Sequence, residues 1–139
     1  MFTWNFQYVS KARLADIFGQ LMLNMQRGDI LIRIHTAVHR EEEAVELAKF
    51  VKSLVPRAHI FGTSASAVIN AGKLDPNQCV ISVTQMDEGR VQSALLSTLD
   101  EVTKAPMAPE CLCEKIKDAV ASEDSKLMLA FTTEAYTDV

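Results

Sequence analysis

The stretch Ile30-Leu31-Ile32-Arg33-Ile34-His35, introduced by Gly28-Asp29, decides the fold. Its nearly unbroken aliphatic run is that of a β-strand covered on both faces, the interior strand of a sheet flanked by helices. The flanking sequence supplies those helices. Upstream, Ser10 suits an N-cap, and Leu14, Ile17, Phe18, Leu21, Met22 and Met25 recur at spacings of three and four until Gly28 closes the helix. Downstream, Glu41, Glu42 and Glu43 favour the positive end of a helix macrodipole. The stripe Ala44, Leu47, Ala48, Val51, Leu54 and Val55 then runs until Pro56 stops it. Further out, Trp4, Phe6 and Tyr8 alternate within Thr3 to Val9, a strand with one buried face, and Ala58 to Thr63 reads as a third strand. Strand, helix, strand, helix, strand with short connections predicts a right-handed βαβαβ unit with a parallel sheet.

The second half changes character. Cys79 to Thr84 reads as a strand, Asp87-Glu88-Gly89 as a hairpin turn, and Arg90 to Leu96 as a returning strand, which makes the sheet mixed. Pro106 and Pro109 precede a helix with Leu112, Ile116, Ala119 and Val120 on one face, and Lys126 to Phe131 reads as a last strand. The expected class is therefore α/β. A mixed sheet is built from a parallel βαβαβ unit, an antiparallel hairpin, a helix and a last strand, in a single domain spanning residues 1–139.

Composition narrows the function. Hydrophobic residues make up 48% of the 139 and charged residues 23%, which rules out a disordered or collagenous chain. With 14 Lys and Arg against 18 Asp and Glu, the net charge is -4, and no basic surplus exists for phosphates or an anionic membrane. Neither nucleic acid nor membrane is an expected partner. The apolar runs fall far short of the ~20 residues of a spanning helix, and no basic-then-apolar leader opens the chain, so a cytoplasmic location is expected. Three cysteines cannot all pair, and Cys111 and Cys113 stand too close for a redox pair, so all three read as reduced thiols.

In an open α/β sheet, ligands bind beyond the carboxyl ends of the parallel strands. That rule nominates His35 to Arg40, Gly62 to Ile69 and Thr132 to Glu134. Gly62-Thr63-Ser64-Ala65-Ser66-Ala67 is a run of small residues whose backbone and hydroxyls can approach a small polar ligand; the alternative is a tight strand-to-helix turn. The expected ligand site comprises Thr63, Ser64, Ala65 and Ser66, completed by His35, Thr36 and Thr132, with Arg40 as a carboxylate partner. Arg33 and His35 share a face of their strand, either as a polar lining or as a satisfied buried pair. His35 and His39 straddle a strand end rather than sharing a helix face, so no metal is expected, and no fingerprint for a nucleotide cofactor is present. An enzyme reading remains beside the binding one: Ser64 or Ser66 as nucleophile with His35 as base, although no G-x-S-x-G elbow surrounds either serine. In a third reading the module dimerises through an exposed sheet edge.

The order of segments resembles the N-terminal part of a FIST sensory domain. The resemblance is carried by the aromatic first strand, by L-I-R-I-H-T, by L-V-P-R-A-H-I-F-G-T-S, by V-I-S-V-T-Q-M-D followed by R-V-Q-S-A-L-L, and by the final L-M-L-A-F-T-T. It implies an input module of bacterial signal transduction that binds small ligands such as amino acids and precedes an output domain, for instance a diguanylate cyclase, histidine kinase or chemotaxis receptor. It also implies that these residues form the front part of a larger sensor. The family motif close to G-C-S-T-A-G-E-I is matched here by Gly62, Ser64 and Ile69. Ala67 replaces its second glycine and Val68 its acid, which implies either a different ligand or none.

Overall fold

The computed structural model describes residues 1–25, 27–37, 41–65, 67–70, 72–76, 78–100 and 102–120. The chain divides into two compact units, the first ending at Gln92 and the second beginning at Ser93.

The first unit contains β1 (Phe2–Gln7), α1 (Lys11–Gln20), a 3-10 turn (Leu23–Met25), β2 (Ile30–Thr36), α2 (Glu41–Leu54), β3 (His59–Ser64), β4 (Val68–Asn70), β5 (Lys73–Asp75) and β6 (Cys79–Gln85). Four strands form one sheet in the order β1-β6-β2-β3, and β4 pairs antiparallel with β5 in a separate small sheet. Neighbours β2 and β3 are parallel, while β6 runs antiparallel to β1 and β2. The protein is thus α/β with a mixed sheet, and β1, β2 and β3 share one direction.

Local chemistry explains the elements. Ser10 has extended backbone and its Oγ accepts the Arg13 N–H at 3.2 Å, capping α1. The helix is shorter than its apolar spacing predicts. Met22 takes a left-handed φ of 50°, which ends the helical path and leaves Met22 and Met25 exposed rather than on the buried stripe. Gly28 has φ 80°, and a Cβ there would lie 1.8 Å from the Met86 carbonyl oxygen. The chain turns into β2 directly against the exit of β6, where the Met86 N–H donates to the Asp29 carbonyl at 2.9 Å.

Burial along β2 alternates strictly, with Ile30, Ile32, Ile34 and Thr36 buried and Leu31, Arg33 and His35 half-buried. Ile30, Ile32 and Ile34 join Ile81 and Val83 of β6, Leu14 and Phe18 of α1, and Leu47 and Val51 of α2 in one apolar core. Each such aliphatic side chain contributes about 1.5–3 kcal/mol on full burial. Both helices therefore pack on one face of the sheet.

Four expectations change. The central strand is fully covered on one face, not both, because Arg33 and His35 occupy the other. β1 lies beyond β6 instead of beside β2, since β6 completes ladders on both of its sides. Arg90 to Leu96 is not a strand: Leu95 is fully exposed, and the Val91 N–H donates to the Asp29 carboxylate at 2.7 Å rather than into a ladder. The antiparallel hairpin is instead β4–β5, so the small-residue run after β3 leads into a hairpin and not into a helix. The predicted strand Lys126 to Phe131 lies outside the described residues.

In the second unit, Leu99 bridges to Pro106 around a turn in which the Asp100 carboxylate accepts the Val102 N–H at 2.9 Å and the Thr103 N–H at 2.7 Å. These bonds hold the Asp100 carboxyl below its ordinary range. Helix α3 (Pro109–Val120) follows, with proline in its first turn and Leu112, Ile116 and Val120 half-buried along one side. Among the described residues, no helix is long and apolar enough to cross a membrane.

Candidate functional site

The pleat sorts the predicted site residues onto two sides. The parallel register pairs His35 with Thr63 and Thr36 with Ser64. Successive side chains of a strand point to opposite faces, so His35 and Thr63 belong to one face and Thr36 and Ser64 to the other. The first pair is joined directly: His35 Nδ1 lies 2.8 Å from Thr63 Oγ1. The second pair sits at the end of the core face, where Thr36 is buried and hydrogen-bonds the Cys79 thiol. Ala65 follows β3 immediately, and its N–H donates to the Thr36 carbonyl at 3.0 Å, which closes the end of the parallel pair. Arg40, Ser66 and Thr132 lie outside the described residues.

The face that carries His35 is polar across three strands. Arg33 follows the same alternation, its cross-strand partners being Phe61 on β3 and Ser82 on β6. Ser82 is paired in turn with Asn5 of β1, and its hydroxyl hydrogen-bonds Asn5 Oδ1. Thr84 Oγ1 lies 3.1 Å from Thr3 Oγ1 and makes a long 3.4 Å contact with Arg33 Nη2. Ser82 and Thr84 are buried, whereas Thr3 and Asn5 are exposed at the sheet edge. Arg33 Nε is sealed from solvent with no hydrogen-bond partner. The strand residues Arg33 and His35 are therefore unequally satisfied: the histidine has a short bond to its threonine, whereas the guanidinium has only the long Thr84 contact at one nitrogen and a partnerless Nε.

Electrostatics follow from this placement. Burial, and secondarily the Arg33 charge, hold the His35 imidazole below its ordinary value, so it is neutral at neutral pH. Burial pushes the Cys79 thiol up, against the smaller opposing effect of its Thr36 hydrogen bond, which makes it a poor nucleophile. The hydrolase arrangement is not formed by His35 and Ser64, because the base and the hydroxyl occupy opposite faces of the sheet. Among the described residues, no group of three or more His, Cys, Asp and Glu side chains could hold a metal ion.

The sequence marked Arg33 and His35 as sharing a face but did not place Arg33 in the site. It missed Thr3, Asn5, Ser82 and Thr84 altogether. The signal was present in the polar alternation Thr3-Asn5-Gln7 and Ser82-Thr84, but only the β1–β6 and β6–β2 pairings bring those positions together. No protein-family model, curated protein or solved structure matches the chain.

Proposed function

We propose that the chain is a cytoplasmic sensory input module that binds a small polar ligand and hands the bound state to a signalling output domain, in the manner the FIST resemblance implies. The observation that carries this reading is the His35–Thr63 hydrogen bond of 2.8 Å across the ends of the parallel strand pair. It places a neutral donor–acceptor group at the edge where ligands of open α/β sheets bind. Hydroxyls of Thr63, Ser82 and Thr84 and the amide of Asn5 extend that polarity along the same face, a lining that fixes orientation around the single Arg33 charge. A sensory role fits a site rich in orienting groups in which, among the described residues, His35 and Ser64 lie on opposite faces of the sheet. Dimerisation through an edge strand, β1 or β3, is one route by which such a module could report to its output.

The test is a thermal-shift screen of amino acids and small metabolites on the full chain, followed by Thr63→Trp, which puts a bulky indole beside His35 in place of the hydroxyl. A ligand that raises the unfolding temperature of the wild type and leaves a folded Thr63→Trp protein unchanged supports the reading. Equal stabilisation of both proteins places the ligand elsewhere.

A further inference from the structure

We infer that the polar face of the sheet binds the carboxylate of a small monoanion, with the Arg33 guanidinium as its counter-ion. The inference rests on the sensory reading above and adds the chemical class of the ligand and the residue that selects it.

Three observations converge. Arg33 is half-buried, its Nε is sealed from water without a partner, and among the described residues its hydrogen-bond contact, to Thr84, is long at 3.4 Å. Among the described residues no carboxylate pairs with it, and none of the residues that face it at alternate positions of β1, β3 and β6 is acidic. A cation taken partly out of water without an anion is costly, and folded proteins pair such charges. The groups around it suit an incoming oxyanion. Ser82 donates to Asn5 Oδ1, which leaves the Asn5 amide N–H groups as donors, and the planar guanidinium fork matches a carboxylate in bidentate geometry. Charge counting selects among anions. One guanidinium stands beside a neutral His35, so a single negative charge is balanced, whereas the second charge of a phosphate dianion is left over.

The experiment uses the full chain, acetate and lactate as probes, acetamide and lactamide as their uncharged counterparts, and inorganic phosphate, all at matched ionic strength. Two readouts are followed, the NMR resonance of the Arg33 Nε–Hε group and the unfolding temperature. The expected result is a saturable shift of that resonance and a rise in unfolding temperature with both carboxylates and with neither amide. In Arg33→Met, which lacks that resonance, the carboxylate-dependent rise in unfolding temperature falls at least tenfold, while the protein without anion unfolds at a higher temperature than wild type because the guanidinium charge is gone. Arg33→Lys, which keeps the charge but loses the fork, retains a weakened rise in unfolding temperature with the carboxylates and covers the case in which Arg33→Met fails to fold. Equal responses to the amides, a response to phosphate alone, an undiminished response in Arg33→Met, or no response to either carboxylate overturns the inference. A screening hit that stabilises Arg33→Met but not Thr63→Trp removes this inference and leaves the sensory reading standing.

Discussion

Gly28→Ala is expected to destabilise the first unit by about 3–4 kcal/mol, and the size of the loss distinguishes two folds. If Gly28 only closed a helix, alanine would meet the usual penalty of a left-handed residue, about 1–2 kcal/mol. Here the residue has φ 80° and its would-be Cβ sits 1.8 Å from the Met86 carbonyl oxygen. Backbone cannot swing aside as a flexible side chain does. Relief of the clash pulls the exit of β6 away from the entry of β2 and sacrifices the Met86 N–H to Asp29 carbonyl bond of 2.9 Å, worth about 1 kcal/mol, with strain added to that. At about 4 °C per kcal/mol, the unfolding temperature should fall by about 12–16 °C. Urea denaturation and calorimetry of wild type, Gly28→Ala and a control Gly19→Ala give the measurement. Gly19 lies exposed in α1 with nothing within 4 Å of its would-be Cβ, so alanine there should stabilise by about 0.5–1 kcal/mol. A Gly28→Ala loss of only about 1 kcal/mol would refute the close approach of β2 and β6.

Other outcomes follow from the same geometry. Because His35 titrates below its ordinary value in the folded chain, the unfolded chain binds the proton first; stability should fall as pH drops below about 6.5, and His35→Asn should flatten that part of a urea-stability profile. Buried Cys79 should resist alkylation in native protein while exposed Cys111 and Cys113 react, as mass spectrometry of iodoacetamide-treated protein would show; equal labelling of all three would contradict the core packing. Ser10→Ala removes the cap on the Arg13 N–H and should cost about 1 kcal/mol in denaturant unfolding, with no change in slope against denaturant.

How far the sequence was legible depends on which physical signal each feature carries. Helices α1, α2 and α3 and strands β1, β2, β3 and β6 announce themselves through local apolar periodicity, a property of one segment at a time. Adjacency is not local. The aromatic alternation of Trp4 and Phe6 requires a buried face but does not name its neighbour, and β1 took the place outside β6. Val91 to Leu96 carried apolar residues without strict alternation, and the Val91 N–H found the Asp29 carboxylate instead of a partner strand. The site divides in the same way. His35 with Thr63 could be anticipated from the ends of a parallel pair, and period-2 alternation alone set Arg33 beside His35. Joining them to Ser82 and Asn5 needed the register of two antiparallel ladders, which no single segment encodes. The same alternation separates Thr36 and Ser64 from His35 and Thr63, a division that a loop-by-loop reading of site residues overlooks.

The claim at the centre of this account is that the ligand sits on the polar face of the sheet and not on the face packed by α1 and α2. It is tested most directly by mapping NMR shift changes over the full chain as a thermal-shift hit is titrated in. The predicted result is a saturable set of changes concentrated at Arg33, His35, Thr63 and Ser82, with Leu14, Phe18, Leu47 and Val51 unmoved. Changes centred on those four helix residues, or on α3, with Arg33 and His35 silent, would contradict it.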